Sequence, residues 1–150
     1  MSMVDLRIKC EGCGEMFRHR KACQNRDAAA DYEDWARENI TLCPACYREG
    51  MERIQMEKDA AAIAEKGLIL PEIDGTEKQI AWANKIRLHA IAIVCAAMKP
   101  EAVGKLQTWV NHPAMLDARF WIDERDNMTH PRGVVAAMGP VCEPAAKGAH

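Results

Sequence analysis

The sequence predicts an α+β fold, in which a small amino-terminal module of short β-hairpins with an inserted helix precedes a carboxy-terminal helical bundle. Three observations support this prediction. Two Cys-x-x-Cys pairs lie in the first third of the 150-residue chain, and apolar and polar side chains alternate around the first pair. After Thr76, apolar residues recur at the three- and four-residue spacing of a helix. The length suits one ordinary domain or two small ones.

The amino-terminal module is predicted to begin with a hairpin. Residues 5–19 alternate in polarity around the first cysteine pair, and two glycines permit a tight backbone beside it. A helix is predicted over residues 27–39, with Asp27 as its N-cap and Trp35 on its apolar face. The β-forming residues 40–42 then predict a short strand that leads to the second cysteine pair.

The four cysteines of the two pairs predict a metal site. Zinc prefers tetrahedral ligation by thiolates, and each Cys-x-x-Cys turn lets two sulfurs reach one ion. The 29 residues between the pairs exceed the spacing of compact zinc ribbons, and the inserted helix accounts for the excess. We therefore predict that residues 1–48 form a zinc ribbon around one structural zinc ion. Its ligands are Cys10, Cys13, Cys43 and Cys46.

Two alternatives to this zinc site follow from the same residues. Iron uses the same four thiolates in sites of the rubredoxin type and is the less favoured ion. A redox or metal-dependent enzyme would need a reactive thiol or an open metal position, and four protein ligands leave no position for a catalytic water. The sequence shows no catalytic constellation and no motif for a small-molecule cofactor, so we predict a protein that is not an enzyme.

The other cysteines are interpreted as ordinary residues. Cys23 lies between the pairs and is predicted to be partly buried, with a ligand or a reactive thiol as the alternative. Cys95 falls in a helical apolar stripe, and Cys142 falls in the carboxy-terminal tail. His19 adjoins a run of basic residues and is expected to contribute to a basic patch, with metal ligation as the less favoured alternative.

Charge is distributed unevenly along the chain. The net charge of -2 and the pI near 6.2 give no global argument for nucleic-acid binding. Residues 1–26 nevertheless hold six Lys/Arg against three Asp/Glu, whereas residues 27–66 hold five against ten. The basic surplus therefore accompanies the first cysteine pair.

This surplus predicts a basic patch that could meet phosphates, and a solvated charged surface is the alternative. Arg7 and Lys9 lie on the predicted hairpin beside the patch, and Phe17 or Tyr32 could stack on a base. The predicted contacts with nucleic acid or a partner are Arg18, Arg20, Lys21 and Arg26.

A helical connector is predicted over residues 49–70, because this region favours a helix with few apolar positions. Gly67 suits the C-cap of that helix. The segment 67–75 contains a proline and two glycines and predicts the domain boundary.

A three-helix bundle is predicted over residues 71–128. Thr76 and Gln79 match a capping box at the start of a long helix that Pro100 ends, and Trp82 is expected to pack between helices. Shorter helices are expected near residues 101–110 and 114–124, and the Pro- and Gly-rich residues 129–150 are expected to form an irregular tail.

The chain is expected to be cytoplasmic and not to span a membrane. Its first ten residues lack the apolar core of a signal peptide, and no segment reaches the uncharged length of a membrane helix. Seven cysteines, four of them in Cys-x-x-Cys pairs, suit metal binding in a reducing compartment better than a disulfide framework.

Two phrases of the carboxy-terminal half resemble small uncharacterised proteins of bacteria, phages and mobile elements. Residues 70–87 contain Gly-Thr-Glu-Lys-Gln-Ile-Ala-Trp-Ala, similar to a Gly-Ser/Thr-x-Lys-Gln-Ile-x-Trp-Ala core that follows a zinc ribbon in those proteins. Residues 118–123 resemble their closing Trp-Ile-Asp phrase. The resemblance implies an accessory protein of a phage or mobile element, and it implies no catalytic residue.

The residues and the resemblance together predict a non-enzymatic, zinc-binding accessory protein that binds nucleic acid or a protein that handles nucleic acid. The alternative is a protein-protein inhibitor of a host nuclease or defence complex, such as a protein of the anti-CRISPR type. The near-neutral net charge and the acidic residues 27–66 favour that alternative.

Overall fold

The computed structural model describes residues 1–143 and confirms the α+β fold, with one two-stranded antiparallel sheet and six α-helices among those residues. The chain divides into two compact units, Met1–Arg53 and Ile54–His150. Each unit has its own cluster of buried apolar residues. The division falls inside a helix, whereas composition places the boundary at residues 67–75.

The predicted amino-terminal hairpin is present. Strand β1 (Ser2–Lys9) pairs with β2 (Met16–Cys23), with Leu6 opposite His19. Because successive side chains of a strand point to opposite faces, the buried residues Val4 and Leu6 share the inner face. The outer face therefore carries the exposed charged residues of both strands.

The inserted helix is also present, as α1 (Arg26–Asn39), and it packs on both strands. Its N-cap is Asn25, whose side chain accepts a hydrogen bond from the Ala28 amide at 2.8 Å, so the prediction of Asp27 as the cap is wrong. Asp27 instead lies in the first turn, where its charge interacts favourably with the helix dipole. The hydrophobic core of this unit is small: its buried members are Val4, Leu6, Cys23 and Ala36.

The predicted strand over residues 40–42 does not form, so the module contains one hairpin in place of the expected pair. Ile40 closes α1, and Thr41 uses its carbonyl oxygen to accept a hydrogen bond from the Glu11 amide at 2.8 Å. Helix α2 (Pro44–Glu65) then begins at once, because proline suits the first turn of a helix. Residues 40–42 thus connect α1 to α2 and contact the hairpin turn through this hydrogen bond.

The segment 67–75 belongs to the second unit. Gly67 has the positive φ of 76° expected of a C-cap, and Leu68 and Ile73 are buried in the core of this unit. Gln107 exchanges two hydrogen bonds with the backbone of Ile69, at 2.9 and 2.7 Å. Composition indicated a domain boundary here because proline and glycine are common between domains. The same residues also occur where a segment folds back onto a core, as it does here.

Helix α3 (Glu77–Ala97) is the central element of the second unit. The predicted capping box is confirmed, because Thr76 and Gln79 satisfy each other's backbone amides at 3.2 and 3.0 Å. The sequence predicted no segment long and apolar enough to cross a membrane, but α3 meets that criterion by length and composition alone. The core helices of soluble proteins pass the same test. Its buried face contacts two later helices, and Cys95 lies in that core as predicted.

Three further helices complete the second unit. The predicted short helices are present as α4 (Val103–Val110) and α5 (Ala118–Asp123). The prediction that residues 129–150 form an irregular tail is wrong for residues 131–142, which form α6 (Pro131–Cys142). Residues 144–150 of the predicted tail lie outside the described residues. A proline at the first helical position favours α6, and apolar side chains that enter the core hold it in place.

The aromatic residues of this unit divide between core and surface. Trp121 is fully buried and donates its indole N–H to the Met115 carbonyl at 2.8 Å. Trp82 is 48% exposed and lies 5.4 Å from the Arg125 guanidinium, so the prediction that it packs between helices is wrong.

The segments before α3 and before α5 meet in space. Asp74 pairs with Asp117 in a short parallel bridge, in which the Ala118 amide donates to the Asp74 carbonyl at 2.9 Å. A Cβ atom on Gly75 would lie 2.9 Å from the Ala118 Cβ and 3.1 Å from the Gln79 capping oxygen. Gly75 therefore permits the close approach of the start of α3 to α5.

We predict that Gly75→Ala lowers the free energy of unfolding of the second unit by about 1–3 kcal/mol, because the new methyl group overlaps a packed neighbour. The matched control is Gly104→Ala, where a Cβ meets no atom within 4 Å, and it should leave stability unchanged or raise it by up to about 1 kcal/mol. Urea denaturation followed through the α3 amide resonances measures both. Equal stabilities of Gly75→Ala and the wild type would contradict this account.

Candidate metal centre

The four predicted ligands converge at one end of the first unit. Cys10 and Cys13 lie in the turn between β1 and β2, Cys43 directly precedes α2, and Cys46 is in the first turn of α2. Their sulfur atoms all lie within 4.8 Å of one another, and the Sγ atoms of Cys13 and Cys43 are 4.0 Å apart. Residues more than thirty positions apart in sequence therefore form one group.

The hairpin turn positions the first pair through backbone hydrogen bonds. The Cys10 amide donates to the Glu15 carbonyl at 2.8 Å, and the Gly14 amide donates to the Cys10 carbonyl at 2.9 Å. Gly14 has a φ of 76°, which glycine adopts without the steric cost of a Cβ atom. The hydrogen bond from Glu11 to Thr41 then ties this turn to the segment that carries the second pair.

Backbone amides also donate to the sulfur atoms. Gly12 and Cys43 each donate an N–H to the Cys10 Sγ at 3.3 Å, and Cys46 donates to the Cys43 Sγ at 3.4 Å. Hydrogen bonds from the backbone of Cys13 and Cys43 lower the pKa of the Cys10 thiol to about 6. Side-chain hydrogen bonds between thiols, first with Cys43 and then with Cys10, raise the pKa of the Cys46 thiol to about 12. Without a cation, the cysteine cluster therefore disfavours the simultaneous presence of several thiolates.

The donor set fits a tetrahedral metal ion. Zinc–sulfur distances of about 2.3 Å place the sulfurs of a tetrahedral site about 3.8 Å apart, close to the 4.0 Å between Cys13 and Cys43. Four soft thiolates suit zinc or iron and not calcium or magnesium, which prefer oxygen ligands. Amide–sulfur hydrogen bonds of the kind seen at Cys10 would stabilise the thiolate form that a metal requires. The group is therefore suited to a metal ion by geometry and by chemistry.

The site lies partly at the surface. Cys10 is 1% exposed, whereas Cys13 is exposed and the other two cysteines are partly buried. Because the adjoining hydrophobic core is so small, a metal that joins the hairpin turn to the start of α2 would supply much of the stability of this unit.

The remaining cysteines lie apart from this group. Cys23 is buried in the small core beside Val4 and Leu6, which confirms its interpretation as a buried residue. The Cys142 sulfur lies 3.7 Å from the Trp109 carbonyl oxygen in the second unit, and burial raises the pKa of this thiol to about 11. Because the thiolate is the nucleophile, this shift lowers the fraction of Cys142 that can react at neutral pH.

His19 is held by an aromatic neighbour and is not among the candidate ligands. Its Nε2 atom and the Tyr32 hydroxyl are 2.6 Å apart, and the two rings stack with centroids separated by 5.9 Å. Tyr32 itself is partly buried and packs against the small core.

The four predicted contact residues do not share one face, because strand side chains alternate. Arg18 and Arg20 lie on the outer face of the hairpin, whereas Lys21 lies on the inner face, 6.0 Å from the Tyr32 ring centroid. Arg26 begins α1. The alternation places Arg7 and Lys9 on the same outer face as Arg18 and Arg20. We call this surface the basic face. Its charged members are Asp5, Arg7, Lys9, Arg18 and Arg20.

One cation of the basic face already has a protein partner. Arg18 forms two hydrogen bonds with the Asp5 carboxylate, one of them 2.8 Å long from Nε. This pairing lowers the pKa of Asp5 and raises that of Arg18. Both side chains are solvent-exposed, so the pair orients the guanidinium more than it stabilises the fold.

The structure also reveals a cleft that the sequence did not predict. It lies in the first unit and has Trp35 and Tyr47 in its walls. Trp35 is 53% exposed, so its predicted place on the buried face of α1 is wrong, and Tyr47 is 59% exposed. Helical spacing placed Trp35 with Tyr32 and Ala36, but only the packing of α1 on the hairpin shows which of the three is buried.

Comparison with protein-family models, with curated protein sequences and with solved structures found no match to this chain. The sulfur cluster and the surfaces around it are therefore the basis for any functional proposal.

We predict that Cys13→Ser abolishes stoichiometric metal binding and unfolds the first unit, because three thiolates leave the ion incompletely ligated. The second unit should stay folded, because it has its own core. Cys142→Ala, which removes a thiol outside the cluster, is the control and should keep one metal ion per chain. Elemental analysis and amide NMR spectra measure both effects, and full metal content in Cys13→Ser would contradict the assignment.

A second prediction concerns the crowded glycine between the first two ligands. A Cβ on Gly12 would lie 3.1 Å from the Cys46 Sγ and 3.3 Å from a Leu42 methyl carbon. Gly12→Ala should weaken metal affinity about 10- to 100-fold, as disturbed outer-shell contacts do. Gly50→Ala is the control, since its Cβ meets nothing within 4 Å. Competition against a chromophoric chelator measures the affinity, and equal affinities in the two variants would refute the predicted crowding.

Proposed function

We propose that the protein is a non-enzymatic binding module in which one zinc ion, held by the four cysteines, organises a surface that contacts nucleic acid. The observation that carries the proposal is the position of the basic face on the hairpin whose turn supplies Cys10 and Cys13. Four cations and one carboxylate lie on this face, so it attracts phosphates although the whole chain has a net charge of -2.

The chemistry of the metal site supports a structural role. Four thiolates fill the coordination sphere of zinc and leave no position for water or substrate. Zinc bound there would hold the hairpin turn against the start of α2 and would thereby keep the basic face in one orientation. A cytoplasmic location, which the paired cysteines favour, and an origin in a phage or mobile element, which the resemblance implies, complete the proposal.

A second candidate function is the binding of a protein partner, such as a host nuclease or defence complex. The observation that favours it is the acidity of α1, on which five carboxylates outnumber two arginines. One of these arginines, Arg37, is paired with Glu33 at 2.8 Å, which leaves the helix surface predominantly negative. Capture from a host lysate before and after nuclease treatment separates the two functions, because a partner bridged by nucleic acid would disappear.

We predict that Arg20→Gln weakens oligonucleotide binding and reduces its dependence on salt. Arg20 is exposed on the basic face, and loss of one phosphate contact lowers the slope of log affinity against log salt by about 0.7–0.9. Arg132→Gln, which removes an exposed arginine from the second unit, is the charge-matched control and should leave the slope unchanged. Fluorescence anisotropy of the metal-loaded protein over a salt series measures the slope. Identical slopes for the two variants would argue against the basic face as the contact surface.

A further inference from the structure

The cleft in the first unit has a composition suited to an unpaired base. It has a volume of about 520 Å³ and lies among β2, the end of α1, the connecting residues and the start of α2. Among the described residues, Arg18 is the one cation that lines it, and no carboxylate does. The lining residues are Phe17, Arg18, His19, Trp35, Asn39, Ile40, Thr41, Leu42, Pro44 and Tyr47.

The two most exposed aromatic side chains of the cleft are Trp35 and Tyr47. Trp35 packs against Tyr32 with ring centroids 5.7 Å apart, and Tyr32 in turn stacks on His19. Tyr47 lies one residue after the ligand Cys46, so the metal site positions the start of its helix. Large aromatic faces kept exposed at fixed positions lose little conformational entropy when a flat ligand stacks on them.

The cleft and the basic face share a residue. Arg18 lines the cleft and also belongs to the basic face, where Asp5 orients its guanidinium. A strand whose phosphates contact the basic face at Arg18 can therefore place a base in the adjoining cleft, whose own lining includes no carboxylate among the described residues. The positive balance of this face favours a polyanion over a peptide as the occupant.

We propose that the cleft binds single-stranded nucleic acid, with a base stacked on Trp35 and Tyr47 and the flanking phosphates on the basic face. In a duplex both faces of each base are already stacked, so only an unpaired base can offer a face to these side chains. This inference deepens the proposed nucleic-acid function and rests on it, since it names the class of nucleic acid and the side chains that select it.

The test measures binding of the zinc-loaded full chain to a fluorescein-labelled twelve-nucleotide oligodeoxythymidine, to oligouridine of the same length and to a duplex. Single strands should bind more tightly than the duplex, and the two single-stranded arms distinguish DNA from RNA. Trp35→Ala should weaken single-strand binding about 5- to 100-fold, the range expected for loss of one base stack. Trp35→Phe should retain most of the affinity, because phenylalanine also stacks.

The matched control is Trp82→Ala, which removes a tryptophan of similar exposure from the second unit and should leave binding unchanged. Metal content of each variant establishes that the first unit is folded. If Arg20→Gln weakens binding but Trp35→Ala does not, or if the duplex binds as tightly as single strands, the cleft assignment is overturned and the proposed function stands.

If no oligonucleotide binds, both proposals fail. A host protein that survives nuclease treatment and is lost with Trp35→Ala would assign the cleft to a peptide and would likewise overturn the inference.

Discussion

The convergence of four sulfur atoms is the constraint on which the first unit depends. Only four buried residues form its hydrophobic core, which is too little to fix a hairpin and two helix ends by packing alone. The cysteine pairs come from a hairpin turn and a helix start, elements that share few other contacts. The cluster lowers the pKa of the Cys10 thiol and raises that of the Cys46 thiol, so a cation is needed to favour the thiolate form of both at neutral pH. A metal held by these four cysteines would therefore couple its own binding to the folding of this unit.

This constraint also arranges the surfaces that surround the site. The connection through Thr41 and the first turn of α2 forms part of the cleft, and both are attached to the cluster. The hairpin that supplies two ligands displays its cations on the face opposite the small core, because strand residues alternate. A metal bound by the four thiolates would thus hold a charged face and an aromatic cleft in place without lying in either of them.

The second unit is stabilised by packing of its hydrophobic core and by a close backbone contact between the start of α3 and α5. Its core surrounds Trp121 and the buried face of α3, and it contains no ligand of the metal cluster. The capping box at Thr76 begins α3 beside Gly75, where the backbone approaches α5 too closely for a side chain. The start of α3 and the start of α5 therefore form one junction.

The sequence by itself determined the features that depend on local chemistry: the ligand types and spacing, the hairpin, α1 and the cap of α3. Tertiary structure alone decided that residues 40–42 stay unpaired, that α6 forms in a Pro- and Gly-rich stretch and that Trp35 faces solvent. Strand pairing needs a partner, a marginal helix needs a core to pack on, and an apolar side chain is buried only where another element covers it. Those partners lie far away in sequence, so local patterns could not identify them.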